Sequence, residues 1–306
     1  MPFRLRRPSP HCCAFLFAAV MLQAQQVALT FDDLPHAGKL PPETTRLDII
    51  KNIVKILQDA KAPRVYGFLN AGKLKSAPEE LEALKVWTAA GFLLANHGYS
   101  HLNLAETSVG RYTRDITANE PMLRSLIRNK TDWHWFRYPY LEEGETLRKK
   151  RAVSAFLKKN NYRVAEVTLD FEDFLWNAPY ARCVAGNDTF AIDWLKSNYL
   201  IAAEDRIDFA RKMSQTLYGR DINYIMLLHV GGFETVMLPE LFKLLKQKNF
   251  KLIPLEQAAN DPAYRTDPQW PTRHGGDFLT LTMLHRGLEI PWHRRLPKGQ
   301  LNSVCR

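Results

Sequence analysis

The sequence predicts an α/β protein built on a parallel sheet or barrel. Three observations carry this reading. Short apolar runs alternate with stretches of helical periodicity from residue 27 to residue 253. The first run, Val-Ala-Leu-Thr-Phe at 27–31, has the continuous apolar character of a buried strand and ends in two carboxylates, Asp32 and Asp33. Five of seven predicted strands end in residues able to do chemistry: Asp32 with Asp33, His97 with His101, Arg137, Asp170 with Asp173, and His229. Parallel strands bring their C-terminal ends to one mouth, where α/β folds place their active sites.

Each element has its own signal. After the first strand, a loop holds Pro35, Gly38, Pro41 and Pro42, and Leu47, Ile50, Val54 and Leu57 then recur at helical spacing. Residues 65–69 read as the second strand. Pro78 opens a helix that Gly91 stops. Residues 92–95 form the third strand and lead into Asn-His-Gly-Tyr-Ser-His. Residues 111–127 read as helical, with Pro121 expected to kink or break the run. The fourth strand is predicted over 133–137, a basic amphipathic helix over 147–159, and the fifth strand over 163–169. A long connection follows, helical at 192–199 and again at 206–217. Residues 224–228 form the sixth strand, ending in His229; 239–248 a helix; and 250–253 the seventh strand. Beyond Pro262 the chain turns rich in Pro, Gly, Arg and His, which predicts an irregular tail over 266–306 with at most one short helix.

The first 24 residues have the layout of a secretory signal peptide: Arg4, Arg6 and Arg7, then an apolar stretch too short for a comfortable membrane span, then the small residue Ala24. The expectation is a secreted or periplasmic protein with a catalytic domain over 25–265 and no stable membrane span after cleavage. Losing those three arginines takes the formal charge from +10 to +7. That balance suits an anionic cell-envelope partner or simple solubility, and no clustered aromatic-basic motif argues for nucleic acid. Cleavage also removes two of the four cysteines. Cys183 and Cys305 remain, free to pair in an oxidising compartment but too few to form a framework.

Two adjacent carboxylates repel, so one of them calls for a cation or a proton. His97 and His101 stand four apart, a spacing that in a helical turn sets both imidazoles on one side. Two histidines and one carboxylate suit Zn²⁺ with a position left for water, and also other divalent metals.

The order Thr30-Phe31-Asp32-Asp33, His97-x-x-x-His101, Arg137-Tyr138-Pro139-Tyr140, Asp170-x-x-Asp173 and Leu227-Leu228-His229 resembles the five motifs of the polysaccharide deacetylase (NodB-homology) family, secreted bacterial type. The resemblance spans about residues 27–262 and implies a distorted seven-stranded (β/α) barrel. It also implies a hydrolase that removes N-acetyl groups from an N-acetylhexosamine-containing polysaccharide. By this resemblance Asp33, His97 and His101 bind a divalent metal, Zn²⁺ first, with Co, Mn or Ni as other candidates. Asp32 is the base, His229 the acid and Asp173 its orienting carboxylate; Arg137 pairs with the base. Tyr140, Leu227 and Trp176 are implied at the substrate. Trp133, Trp135 and Tyr138 suit either sugar stacking or the core.

Three departures from the family pattern stand out. Phe174 follows Asp173 where tryptophan is usual, with Trp176 two residues on as a possible substitute. Val230 follows His229, and Glu142 with Glu143 adds acid beside the mouth, read as solvated loop charges. Two alternatives stay open: a hydrolase of a small non-sugar amide or O-acetyl ester on the same scaffold, or an inactive carbohydrate-binding protein.

Overall fold

A computed structural model describes residues 24–127 and 133–306; the signal segment expected at 1–24 lies almost entirely outside them. Among the described residues, seven parallel strands form one sheet: β1 (Gln25–Leu34), β2 (Tyr66–Leu69), β3 (Leu93–Asn96), β4 (Trp135–Phe136), β5 (Arg163–Val164), β6 (Tyr224–His229) and β7 (Phe250–Leu252). The order is β5-β4-β3-β2-β1-β6, with β7 alongside the start of β1. The sheet curls into an incomplete barrel. Leu169 makes an isolated parallel bridge to Met226, so the segment leaving β5 reaches across to β6. Only two residues of the run predicted as the fifth strand, and two of that predicted as the fourth, keep ladder pairing.

β1 is the hub, pairing with β2, β6 and β7. Both of its faces are covered, as its unbroken apolar run predicts. Alternation sorts its side chains. Val27, Leu29 and Phe31 join the large core under the helices, whereas Ala28 joins a smaller barrel-interior cluster with Phe68, Ala95, Trp135 and Ile225. Thr30 and Asp32 share the parity of Ala28 and so face the interior.

The helices cover the sheet. α1 (Arg46–Asp59) starts at a capping box between Thr45 and Asp48 and buries Ile49, Ile50, Ile53, Val54 and Leu57. α2 (Leu81–Ala89) follows a short turn that holds Pro78. α3 (Val109–Leu126) runs unbroken through Pro121, because Tyr112, Ile116, Asn119 and Leu123 bury one continuous face. α4 (Leu147–Lys159) matches its predicted bounds. α5 (Asn177–Ala185) leads to α6 (Thr189–Tyr218), one helix of 30 residues where two were expected. No Gly or Pro interrupts it, and Ala202, Ala203 and Ile207 carry its buried face across the gap. α7 (Glu234–Gln247) begins before Pro239 and contains it.

The predicted irregular tail is ordered and packed. Beyond α8 (Leu255–Ala258) it forms α9 (Phe278–His285) and α10 (Lys298–Ser303). α9 is capped by Asp277 and buries Phe278, Leu279, Leu281 and Met283. Cys183 of α5 and Cys305 form a disulfide, and Arg182 donates to the carbonyls of Leu301 and Val304. No helix among the described residues is long and apolar enough to cross a membrane.

Candidate active site

The C-terminal ends of β1, β3 and β6 open into a cavity of about 700 Å³. β1 delivers Asp32 and Asp33. Asp32 is Cα register partner of His229 on β6, and by alternation both point inward. Asp33 departs from the strand conformation at φ 69°, which turns its side chain the other way from a regular strand neighbour.

Asp33, His97 and His101 offer ligand atoms that all lie within 4.8 Å of one another, the only such metal-capable group among the described residues. His101 Nε2 is 3.4 Å and His97 Nε2 3.9 Å from Asp33 Oδ1. That oxygen is buried and makes no hydrogen bond, and the Lys73 ammonium 3.2 Å away is an ion-pair partner that leaves room for a further cation to satisfy it. His97 Nδ1 lies 2.8 Å from the Arg137 carbonyl oxygen, so Nδ1–H donates there and Nε2 is left as a lone pair facing Asp33. Burial, with His101 beside it, holds His97 well below its ordinary range and therefore neutral. Burial pushes the Asp33 carboxyl up, but Lys73 and the charged His229 outweigh it and hold it well below the usual carboxylate range. The donor set fits a divalent metal. The two histidines are not on a helix: the pair spans a loop with Gly98 at φ 73° and His101 at φ 52°, and the four-residue spacing works by this turn instead.

Asp32 lies just behind this cluster, 3.7 Å from His97 Nε2. Arg137, 1% exposed, donates from one guanidinium nitrogen to both Asp32 oxygens at 3.2 Å, from Nε to the Ala165 carbonyl and from the other terminal nitrogen to Thr30 Oγ1. Burial pushes the Asp32 carboxyl up to about 6, with Arg137 and His229 pulling against it. On the far side, His229 Nδ1–H donates to Asp173 Oδ1 at 2.7 Å, and the His229 backbone N–H donates to Asp173 Oδ2 at 2.7 Å. Burial disfavours the imidazolium, yet Asp173 raises its pKa to about 10. The site thus pairs a carboxyl poised to accept a proton with an imidazole held charged.

The family model described as "Polysaccharide deacetylase" matches residues 20–164. Over that segment the chain is similar to the polysaccharide deacetylase family. Solved structures share its fold. Chitin deacetylase from Colletotrichum lindemuthianum aligns at TM-score 0.51 and 18% identity, over 83% of this chain and 94% of that one. A polysaccharide deacetylase from Bacillus cereus aligns at 0.51 and 18%, over 76% and 92%. A CE4 family pseudoenzyme from Bacillus anthracis aligns at 0.53 and 17%, over 78% and 66%. No curated protein matches the sequence significantly.

Within this site, the structure separates the implied substrate residues. Leu227 lines the cavity. Tyr140 lies at the rim, 58% exposed, with its ring edge-on to His101 at 4.5 Å. Trp176 does not reach the cavity. It is wholly buried, stacked on Phe233 and edge-on to Tyr199, because the short helical turn at 173–176 points it into the core under α6. Phe174 takes the place expected of it, 43% exposed and 5.2 Å from the His229 ring. Trp133, Trp135 and Tyr138 are likewise buried. Glu142 and Glu143 are not solvated. Glu142 is fully buried and accepts from the Gly144 N–H, and Glu143 pairs with Lys150.

Sequence reasoning missed the contribution of the tail. His274, Gly276, Asp277 and Lys298 form one wall of the cavity. Gly275 packs so tightly that a Cβ there would sit 2.1 Å from the Tyr140 carbonyl oxygen, so the tail braces the rim loop that carries Tyr140. The Gly-Gly-Asp run before α9 was the available signal. Asp170, quoted in the fourth motif without a role, also lines the cavity, and burial pushes its pKa up to about 6.

Proposed function

We propose that the protein is a metal-dependent hydrolase that removes N-acetyl groups from an N-acetylhexosamine-containing carbohydrate, releasing acetate and leaving a free amine. One observation carries the proposal: Asp32 and His229, held as inward-facing register partners, flank the Asp33–His97–His101 cluster in a single cavity. A divalent ion on that cluster, Zn²⁺ by its donor set with Co, Mn or Ni as alternatives, supplies Lewis acidity toward the amide and a more acidic water. Asp32 accepts the proton of the attacking water, its ionised form steadied by Arg137. His229 donates a proton to the leaving nitrogen, and Asp173 keeps the imidazole charged and aimed. The backbone N–H of Tyr140 donates to the developing oxyanion, and Leu227 packs against the acetyl methyl.

The segment at 1–24 directs export, so the substrate is sought among glycans of the cell envelope or outside it. A hydrolase of a small amide or O-acetyl ester is the second reading, favoured by the tail residues that wall one side of the cavity. Acetate release from a panel of N-acetylated glycans and small acetamides, with chelator and with added Zn²⁺, tests both. Chelator-sensitive release from a glycan supports the first; release from small amides alone supports the second. No release from any substrate, with metal bound, rejects both in favour of an inactive binding protein.

A further inference from the structure

The two segments that carry the metal-capable residues are irregular where it matters. Asp33 sits in the break of the β1–β2 register between Phe31 and Leu34, His101 lies in the loop after β3, and both adopt positive φ, so neither is held by a regular ladder pair. A metal site needs its ligands placed to within about 0.5 Å, which calls for outside support. That support comes from one turn. The segment following β2 reads Asn70-Ala71-Gly72-Lys73, and its residues bond in both directions. Lys73 Nζ donates to the carbonyl oxygens of Asp33 at 2.8 Å and His36 at 2.9 Å, and lies 3.2 Å from Asp33 Oδ1. Asn70, fully buried, donates from Nδ2 to the carbonyls of His97 at 2.7 Å and Gly98 at 2.9 Å. The Gly72 N–H donates to the Tyr99 carbonyl at 2.9 Å, an approach so close that a Cβ on Gly72 would meet that oxygen at 2.5 Å.

The turn is itself anchored. The Ala71 N–H donates to Asn119 Oδ1, and Asn119 Nδ2 donates to the Leu69 carbonyl and to Asn96 Oδ1. Asn96 Oδ1 in turn accepts from the Gly98 N–H. Asn70, Asn96 and Asn119 are all fully buried, so this network ties the turn to α3 and to the base of the histidine loop.

We propose that residues 70–73 act as a buckle between the end of β1 and the histidine loop, with Lys73 the positioning residue for Asp33 and Asn70 for the His97 loop. Lys73 serves the metal site from outside it, by pinning the left-handed Asp33 backbone through two carbonyls. The inference rests on the metal reading of Asp33, His97 and His101 given above.

The test is Zn²⁺ affinity of the metal-free mature protein, measured by competition with a chromophoric chelator, alongside thermal unfolding in chelator. Lys73→Met is expected to weaken Zn²⁺ binding tenfold or more while the metal-free melting temperature stays within a few degrees of wild type. Lys73→Arg, which keeps charge and donors, is expected to recover most of the affinity. Zn²⁺ bound by Lys73→Met as tightly as by wild type, or more tightly, overturns the proposal, since Lys73 would then be a bystander or a competitor of the metal. Should Lys73→Met not fold, Lys73→Arg must still bind Zn²⁺ more tightly than Lys73→Gln, and equal affinities overturn the proposal. Wild-type protein that binds no Zn²⁺ overturns the metal reading and the buckle together, and is recognised without any variant.

Discussion

Asp32 and His229 are register partners on neighbouring parallel strands, so the sheet itself sets the distance between the proposed base and acid. A carboxyl must be ionised to accept a proton and an imidazole protonated to give one. Activity is therefore expected to rise as pH climbs through about 6, where Asp32 ionises, and to fall through about 10, where His229 loses its proton. A divalent cation beside Asp32 favours the carboxylate and moves the lower limb to more acid pH. A pH–rate profile of the metal-loaded enzyme reads both limbs; an upper limb in the ordinary histidine range would remove His229 as a charged acid.

Asp173 holds the His229 imidazolium. Asp173→Asn is expected to move the upper limb down toward the ordinary histidine value of about 6.5 and to lower kcat by roughly 10²-fold, with little change in KM. The same pair has a stability signature. The folded-state pKa of His229 is raised to about 10, above its unfolded value, so its stabilising contribution is complete below about 6.5 and is lost as pH rises through about 10. Urea midpoints measured across that window should decline more steeply for wild type than for the variant.

Asp32→Asn separates base from ligand. Turnover is expected to fall at least about 10³-fold, while Zn²⁺ affinity changes only a few-fold, because Asp33, His97 and His101 supply the metal-capable atoms. Retained turnover would remove Asp32 as the base.

Phe174 takes the cavity position that the sequence offers to Trp176. Phe174→Ala is expected to raise KM and leave the melting temperature nearly unchanged, since the ring is partly exposed at the cavity. Trp176→Ala empties a fully buried site and should cost about 3–5 kcal/mol of stability. Kinetics beside thermal unfolding distinguish the two; a Trp176→Ala variant of normal stability and raised KM would reverse the assignment.

The Cys183–Cys305 disulfide closes a separation of 122 residues and ties the wall-forming tail to α5. Loop-closure entropy sets its contribution at up to about 4–5 kcal/mol. A Cys183→Ser/Cys305→Ser variant is expected to fold, as the buried α9 side chains still pack, but to melt several degrees lower than oxidised wild type. Reductant should lower the melting temperature of wild type and leave the variant unchanged.

The sequence by itself determined the parallel α/β plan and the cluster of chemistry at the strand ends. Both follow from local rules: unbroken apolar runs on strands covered on both faces, helical periodicity between them, and polar residues where each run stops. It also named the residues gathered at the mouth, from Asp32 and Asp33 through His97, His101, Arg137 and Asp173 to His229. Tertiary structure decided what periodicity does not encode. Trp176 and Phe174 lie two residues apart in one short turn, and only packing under α6 settles which is core and which faces the cavity. The tail lacks a regular pattern, yet its apolar side chains find a surface on α6 and Gly275 fits against the Tyr140 loop. Pro121 fails to break α3 because a buried face outweighs one missing hydrogen bond. Lys73 carries no motif at all; its place beside Asp33 comes from the parallel pairing of β1 with β2, which sets the turn after β2 next to the end of β1.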